Sequence, residues 1–206
     1  MVESLNVGTP RLVQANGHSV MTAIWKHPVQ GPVALRGVNL RGDDQADRSV
    51  HGGPDKAVYA YAREDIEWWE AELGRPLGDA PFGENLTVGG LPVSQAVIGE
   101  QWAIGSALLQ VAQPRLPCFK LGLRIGDPRF LKHFAAAGRP GSYLRVLREG
   151  DIAAGDPIEV TSRPGHGVSS AFVARALLGE RDLLAAALAA TELPAELRAW
   201  MQERAA

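Results

Sequence analysis

The chain has a single cysteine, Cys118, among its 206 residues. No disulfide can form within it, which suits a reducing compartment. Long apolar runs are missing too: the greasiest stretch, residues 183–190, falls far short of the ~20 residues a membrane-spanning helix needs. The opening MVESLN lacks the basic start and apolar run of a signal peptide, so a cytoplasmic protein with no membrane association is expected. Charge of one sign is absent as well. A formal net charge of -2 gives no bulk attraction to a nucleic acid polymer or anionic lipid. Any anion site must therefore come from a local cluster of basic groups. There is no internal repeat and no low-complexity tract. His18, His27, His133 and His166 are scattered, without the short His or Cys spacings of zinc sites, and no nucleophile-elbow pattern occurs.

What is present is enough for a packed core: 46% hydrophobic residues and 21% charged. The sequence changes character near residues 161–167 (TSRPGHG). Before that point short apolar runs alternate with Gly and Pro, the pattern of an all-β barrel or sandwich. Strands are predicted at 56–62 (KAVYAYA), 107–113 (ALLQVAQ), 142–147 (SYLRVL) and 158–160, with a hairpin over 97–104. Two helices interrupt them. Residues 63–73 place Ile66, Trp69 and Leu73 on one stripe before Gly74 and Pro76, and residues 128–137 place Phe130, Leu131 and Phe134 at helical spacing before Gly138. The Trp68–Trp69 pair reads as surface and core of one helix. After the change, three short helices are predicted at 170–178, 181–190 and from Pro194, the last with Leu197, Trp200 and Met201 on one side. The expected organisation is a mainly β domain over residues 1–162 and a three-helix all-α appendage over 163–206, its helices too short to stand alone.

Three segments carry candidate chemistry. Cys118 lies in QPRLPCFKL, where two prolines forbid a regular helix and predict a stiff loop leaving the 107–113 strand. Arg115 and Lys120 flank it, and nearby cations favour the thiolate that ligates metals or attacks electrophiles; the alternative is a small buried hydrophobe. In GDDQADRSVHGGPDK, His51 adjoins two glycines and Lys56 stands at the mouth of a strand. Together they suit one phosphate held by charge and backbone N–H groups, although the glycine spacing is not that of a Walker loop; the alternative is an acidic surface turn. In PFGENLTV, Asn85 offers donors and acceptors to the amide edge of a heterocycle, or is simply a turn asparagine.

These segments, together with GRPGSYLRVLREGDIAAGD at 138–156, occur in an order that resembles the MOSC family, named for the C-terminal domain of molybdenum cofactor sulfurase, and within it the YiiM-like branch, whose members end in a small three-helix domain. The stretches that carry the likeness are GDDQADRSVHGGPDKAVYAY (42–61), FGENLTVGGL (82–91) and IGSALLQVAQPRLPCFKL (104–121). The resemblance implies a closed MOSC-type β-barrel with a few short helices. It implies that Cys118 ligates molybdenum or carries sulfur, and it places His51, Lys56, Asn85 and Arg115 in motifs here assigned to the phosphate and pterin of the molybdenum cofactor. The first forty residues match least clearly.

Molybdopterin needs a soft metal ligand and a cationic pocket, which thiolate, Lys and Arg can supply. The reaction expected is reduction of N-hydroxylated amines or nucleobases, R–NHOH to R–NH2, cycling Mo(IV) and Mo(VI). Its electrons would come from a separate flavin or iron–sulfur reductase, since no ligand set for either is visible. Two other readings stay open: a cofactor carrier or sulfur-transfer protein without turnover, and a non-catalytic binding module whose cysteine is structural.

Overall fold

A computed structural model describes residues 1–15, 17–46 and 52–205. In chain order its strands are β1 (Val2–Val7), β2 (Arg11–Ala15), β3 (His18–Thr22), β4 (His27–Pro28), β5 (Val33–Arg36), β6 (Asn39–Leu40), β7 (Val58–Ala62), β8 (Leu86–Val88), β9 (Gln101–Ile104), β10 (Ala107–Pro114), β11 (Ser142–Arg148), β12 (Gly150–Ile152) and β13 (Ile158–Ser162). The helices are α1 (Arg63–Leu73), α2 (Phe119–Ile125), α3 (Phe130–Ala137), α4 (Ser170–Leu178), α5 (Leu184–Ala187) and α6 (Ala195–Ala205).

Eight strands form one sheet in the order β13-β9-β10-β11-β7-β8-β1-β4; β12-β5-β6 form a second sheet, and β2 and β3 a separate ribbon. The closed barrel expected from the sequence does not form. Strands β13 and β4 end the large sheet without pairing to each other, and β7 and β8 run parallel within it. Six α-helices also accompany the strands among the described residues, so the fold is mixed rather than mainly β. Short apolar runs between Gly and Pro are common to barrels and to open twisted sheets. Closure depends on whether the outermost strands meet, and local patterning carries no information on that.

Strand β7 explains why a sequence such as VYAYA is apolar on both faces. It sits between antiparallel β11 and parallel β8, and all five of its residues are buried, as β-branched and aromatic side chains favour. The strand starts two residues later than predicted, because Pro54–Lys56 coil into a 3-10 turn. Of the predicted 97–104 hairpin only β9 is a strand; Val97 makes an isolated bridge to Ser169. Helix α1 buries Ile66 and Trp69, leaves Trp68 exposed, and stops at Gly74 with φ 64°. Helix α3 likewise stops at Gly138 with φ 64°.

Two apolar clusters result. One is mainly aromatic and joins Tyr59, Tyr61, Trp69, Phe82, Phe130 and Phe134 beneath α1, α2 and α3. The other lies on the sheet and includes Val168, Val173, Ala176, Leu184, Ala187, Leu193 and Met201 of the C-terminal segment. The predicted face of the last helix is only partly right: Met201 is buried, whereas Trp200 is exposed and stacks under Arg204, whose guanidinium carbon lies 4.4 Å from the ring centroid.

Candidate functional site

The start of β7, the residue before β8, the end of β10 and the start of β11 converge on one cleft. Its walls include Cys118, Arg115, Lys120, Lys56, Asn85, Tyr59 and Tyr143, and, from the N-terminal part of the chain, Thr22, Lys26 and Asp43. Four of the residues singled out by sequence, Cys118, Lys56, Asn85 and Arg115, are thus brought together. His51 lies outside the described residues.

Cys118 is half-buried. The stiff loop predicted around it is shorter than expected: β10 runs on to Pro114, and a helix, α2, begins at Phe119. Two prolines at 114 and 117 leave the residues after 117 free to coil, and Cys118 is the extended residue (φ -134°, ψ 159°) that opens the helix. Its carbonyl accepts from the Leu121 N–H at 2.9 Å. The thiol shares the cleft with Arg115 and Tyr143.

Arg115 is buried, donates to the Phe82 carbonyl, and holds its guanidinium carbon 5.0 Å from the Tyr59 ring centroid, a cation–π contact. Burial opposes the Arg115 charge, yet its pKa stays above the ordinary arginine value, so the guanidinium is a fixed cation of the site. Tyr59 and Tyr143 are cross-strand partners with rings 5.0 Å apart. Burial pushes both phenols up, so they remain neutral.

The opposite wall is a polar knot. Asp43 accepts from the Gly8 N–H at 2.8 Å, pairs with Lys26, and accepts from Asn85 Nδ2 at 2.9 Å. Asn85 also donates to the Asn6 carbonyl at 3.1 Å and accepts from the Tyr59 N–H at 3.1 Å. Its amide is therefore largely spent within the protein. Burial lowers the Lys26 pKa against the opposing pull of Asp43. Next to the cleft, the fully buried Glu84 accepts from the Phe82 N–H at 3.0 Å and the Thr87 hydroxyl at 3.2 Å, and burial pushes its carboxyl up. Gly83 between them has φ 70°, and a Cβ there would fall 2.8 Å from Ile24 Cγ1.

The sequence reading had not placed Lys26, Asp43, Tyr59 or Tyr143 in the site. The two tyrosines lie in stretches that carry the family likeness but read there as strand residues, Asp43 lies in the acidic segment beside His51 and Lys56, and Lys26 belongs to no motif. Four basic and two acidic side chains line the cleft, and Asp43 is already committed to Lys26, so the surplus is positive. No three His, Cys, Asp or Glu side chains converge to cage a metal ion among the described residues. What the described walls offer a metal is one soft donor, the Cys118 sulfur, beside cations suited to an anionic ligand. This donor set fits a metal that arrives on its own organic, phosphate-bearing scaffold. No helix of the described residues is long and apolar enough to cross a membrane.

Comparison with known proteins identifies the family. The MOSC domain matches residues 47–159. YflK of Bacillus subtilis (strain 168) is 42% identical over 174 residues, 84% of this chain and 79% of that protein. A protein of Gibberella moniliformis (strain M3125 / FGSC 7600) named Reductase is 35% identical over 185 residues, 87% of this chain but 33% of that longer protein. The crystal structure of YiiM from Geobacillus stearothermophilus superposes with a TM-score of 0.81 at 35% identity, covering 100% of this chain and 98% of that one. Matched over more than half its length and similar end to end to a solved YiiM, the chain belongs to the MOSC domain family.

Proposed function

We propose that the cleft binds the molybdenum cofactor, with Cys118 Sγ as the protein ligand to the metal, and that the protein uses it to reduce N-hydroxylated amines or nucleobases. The observation that carries this reading is the shared cleft: the only cysteine of the chain lines the same walls as Lys56, Arg115, Lys120 and Lys26. When bound, the cofactor would supply the two-electron exchange that removes oxygen from R–NHOH. The chain's own contributions are binding and orientation. Lys56 and Arg115 serve the phosphate and pterin, a role the sequence motif also assigns to His51, which lies outside the described residues. Arg115 is fixed for that task by the Phe82 carbonyl and the Tyr59 ring, so little side-chain entropy is lost on binding. Asn85 serves the cofactor by holding Asp43 and the Tyr59 backbone in place. The neutral Tyr59 and Tyr143 rings, tilted by 41° to each other, give the cleft an aromatic wall that a heterocycle can contact. A separate flavin or iron–sulfur reductase would deliver the electrons in the cytoplasm. The name of the Gibberella relative, Reductase, supports the direction of the chemistry.

The test is turnover: cofactor-loaded protein, an N-hydroxylated nucleobase and a chemical reductant, with formation of the amine followed against a cofactor-free control. Amine formation above the control is expected. Retained molybdenum without turnover would favour a carrier or sulfur-transfer protein, and absence of molybdenum altogether would leave a non-catalytic binding module.

A further inference from the structure

Every cleft residue lies between Thr22 and Tyr143, so the C-terminal helices do not touch the ligand space directly. One side chain nevertheless joins them to it. Arg145, on β11, directs its guanidinium at three elements: Nη2 donates to the Glu192 carbonyl at 2.9 Å, between α5 and α6; Nη1 donates to Gln110 Oε1 at 3.3 Å, on β10; and Nε stands 2.7 Å from Asp55 Oδ1. Asp55 belongs to the 3-10 turn Pro54–Lys56, which brings Lys56 to the cleft.

The turn is held from several sides. The Lys56 N–H donates to the Gly53 carbonyl at 3.1 Å. Gln45 closes the inner side, with Nε2 donating to the Lys56 carbonyl at 3.3 Å and Oε1 accepting from the Gly53 N–H at 3.0 Å. On the outer side Gln113 Nε2 donates to the Asp55 carbonyl at 3.4 Å, a long and weak bond, and Arg145 meets the Asp55 carboxylate as an ion pair whose angle makes no hydrogen bond. An isolated exposed ion pair contributes little. This one is partly buried, with side-chain exposures of 22% and 33%, and its arginine is already immobilised by two further partners, so closing it costs little additional side-chain freedom.

We infer that Arg145 is a positioning residue through which the C-terminal helices hold the Lys56 turn against the anionic part of the ligand in the cleft. The inference rests on the reading above that Lys56 meets the phosphate or pterin of the molybdenum cofactor. It gives the tail a role at the site although none of its residues lines it.

The test uses full-length protein made in cells that synthesise the cofactor. Molybdenum and pterin retained per chain are followed during dialysis at low and high salt for wild type, Lys56→Ala, Arg145→Gln, Arg145→Lys, Asp55→Asn and the Lys56→Ala/Arg145→Gln double variant. Arg145→Gln and Asp55→Asn break the same pair from opposite sides, which separates its loss from a folding defect peculiar to either substitution. Each is expected to shed the cofactor about tenfold faster than wild type, the scale on which outer partners of ligating groups act. Arg145→Lys should recover part of the loss, and the double variant should be no worse than Lys56→Ala alone. Losses that multiply in the double variant, or wild-type retention in Arg145→Gln beside rapid loss in Lys56→Ala, would overturn the inference and leave the cofactor reading standing. Wild-type retention in Lys56→Ala would overturn the inference together with the Lys56 assignment it rests on, and molybdenum bound in the wild type would still support the cofactor reading.

Discussion

The side-chain amide of Asn85 donates to the carboxylate of Asp43 at 2.9 Å, joining two loops that lie 42 residues apart in the chain. One bond of a buried knot thereby fixes the wall of the cleft, because Asp43 also holds Lys26 and the Gly8 N–H. Asn85→Asp keeps the volume but replaces a donor with a second carboxylate facing Asp43 and the Asn6 carbonyl. The substitution is expected to lower stability by about 3 kcal/mol, the scale of an uncompensated buried charge, as read by urea denaturation near neutral pH.

Glu84 gives the pH dependence a definite sign. Burial raises its pKa in the folded protein above the ordinary 4.5. Its contribution to stability is therefore fully present below pH 4.5 and is lost as pH rises through the higher folded value. Glu84→Gln removes that term. The stability of the variant relative to wild type should rise with pH above 4.5, and parallel denaturation series across the acid-to-neutral range would show it. A constant difference would mean that Glu84 titrates in the folded protein as it does in the unfolded chain.

Gly83 meets two demands at once. Its φ of 70° is one that L side chains rarely adopt, and a Cβ would lie 2.8 Å from Ile24 Cγ1 and 2.9 Å from the Ile24 carbonyl oxygen. Gly83→Ala should cost about 2 kcal/mol, of the order of stored backbone strain, and should push Ile24 outward from the cleft wall. Thermal denaturation measures the first effect; ligand affinity reports the second.

Cys118 is half-buried and faces the cleft. A thiol reagent should modify it in the folded apo protein, and added cofactor should slow the reaction. Protection until global unfolding would instead favour the structural-cysteine reading.

The legible part of the molecule was local. Helix α1 could be read from Ile66 and Trp69 on one stripe and Gly74 behind them, because spacing and a left-handed stop are written in neighbouring residues. The set Cys118, Arg115, Lys56 and Asn85 could be gathered because each sits in a motif of the family. Barrel closure could not be read, since it depends on whether β13 and β4 meet across the whole chain. Helix α2 was hidden behind Pro114 and Pro117, which forbid a helix before Cys118 but not after it. Lys26 was missed for a different reason. An isolated lysine in TAIWKHP has no signal in its neighbours, and only the return of Asp43 to it makes it part of the site.

The most direct test of the account is the molybdenum content of the purified chain, by elemental analysis, for wild type and Cys118→Ala made side by side in cells able to synthesise the cofactor. Wild type should carry close to one molybdenum per chain and Cys118→Ala little or none, with matching thermal denaturation for the two, because the substitution removes a ligand and not a core element. Equal molybdenum in both proteins, or none in the wild type, would contradict it.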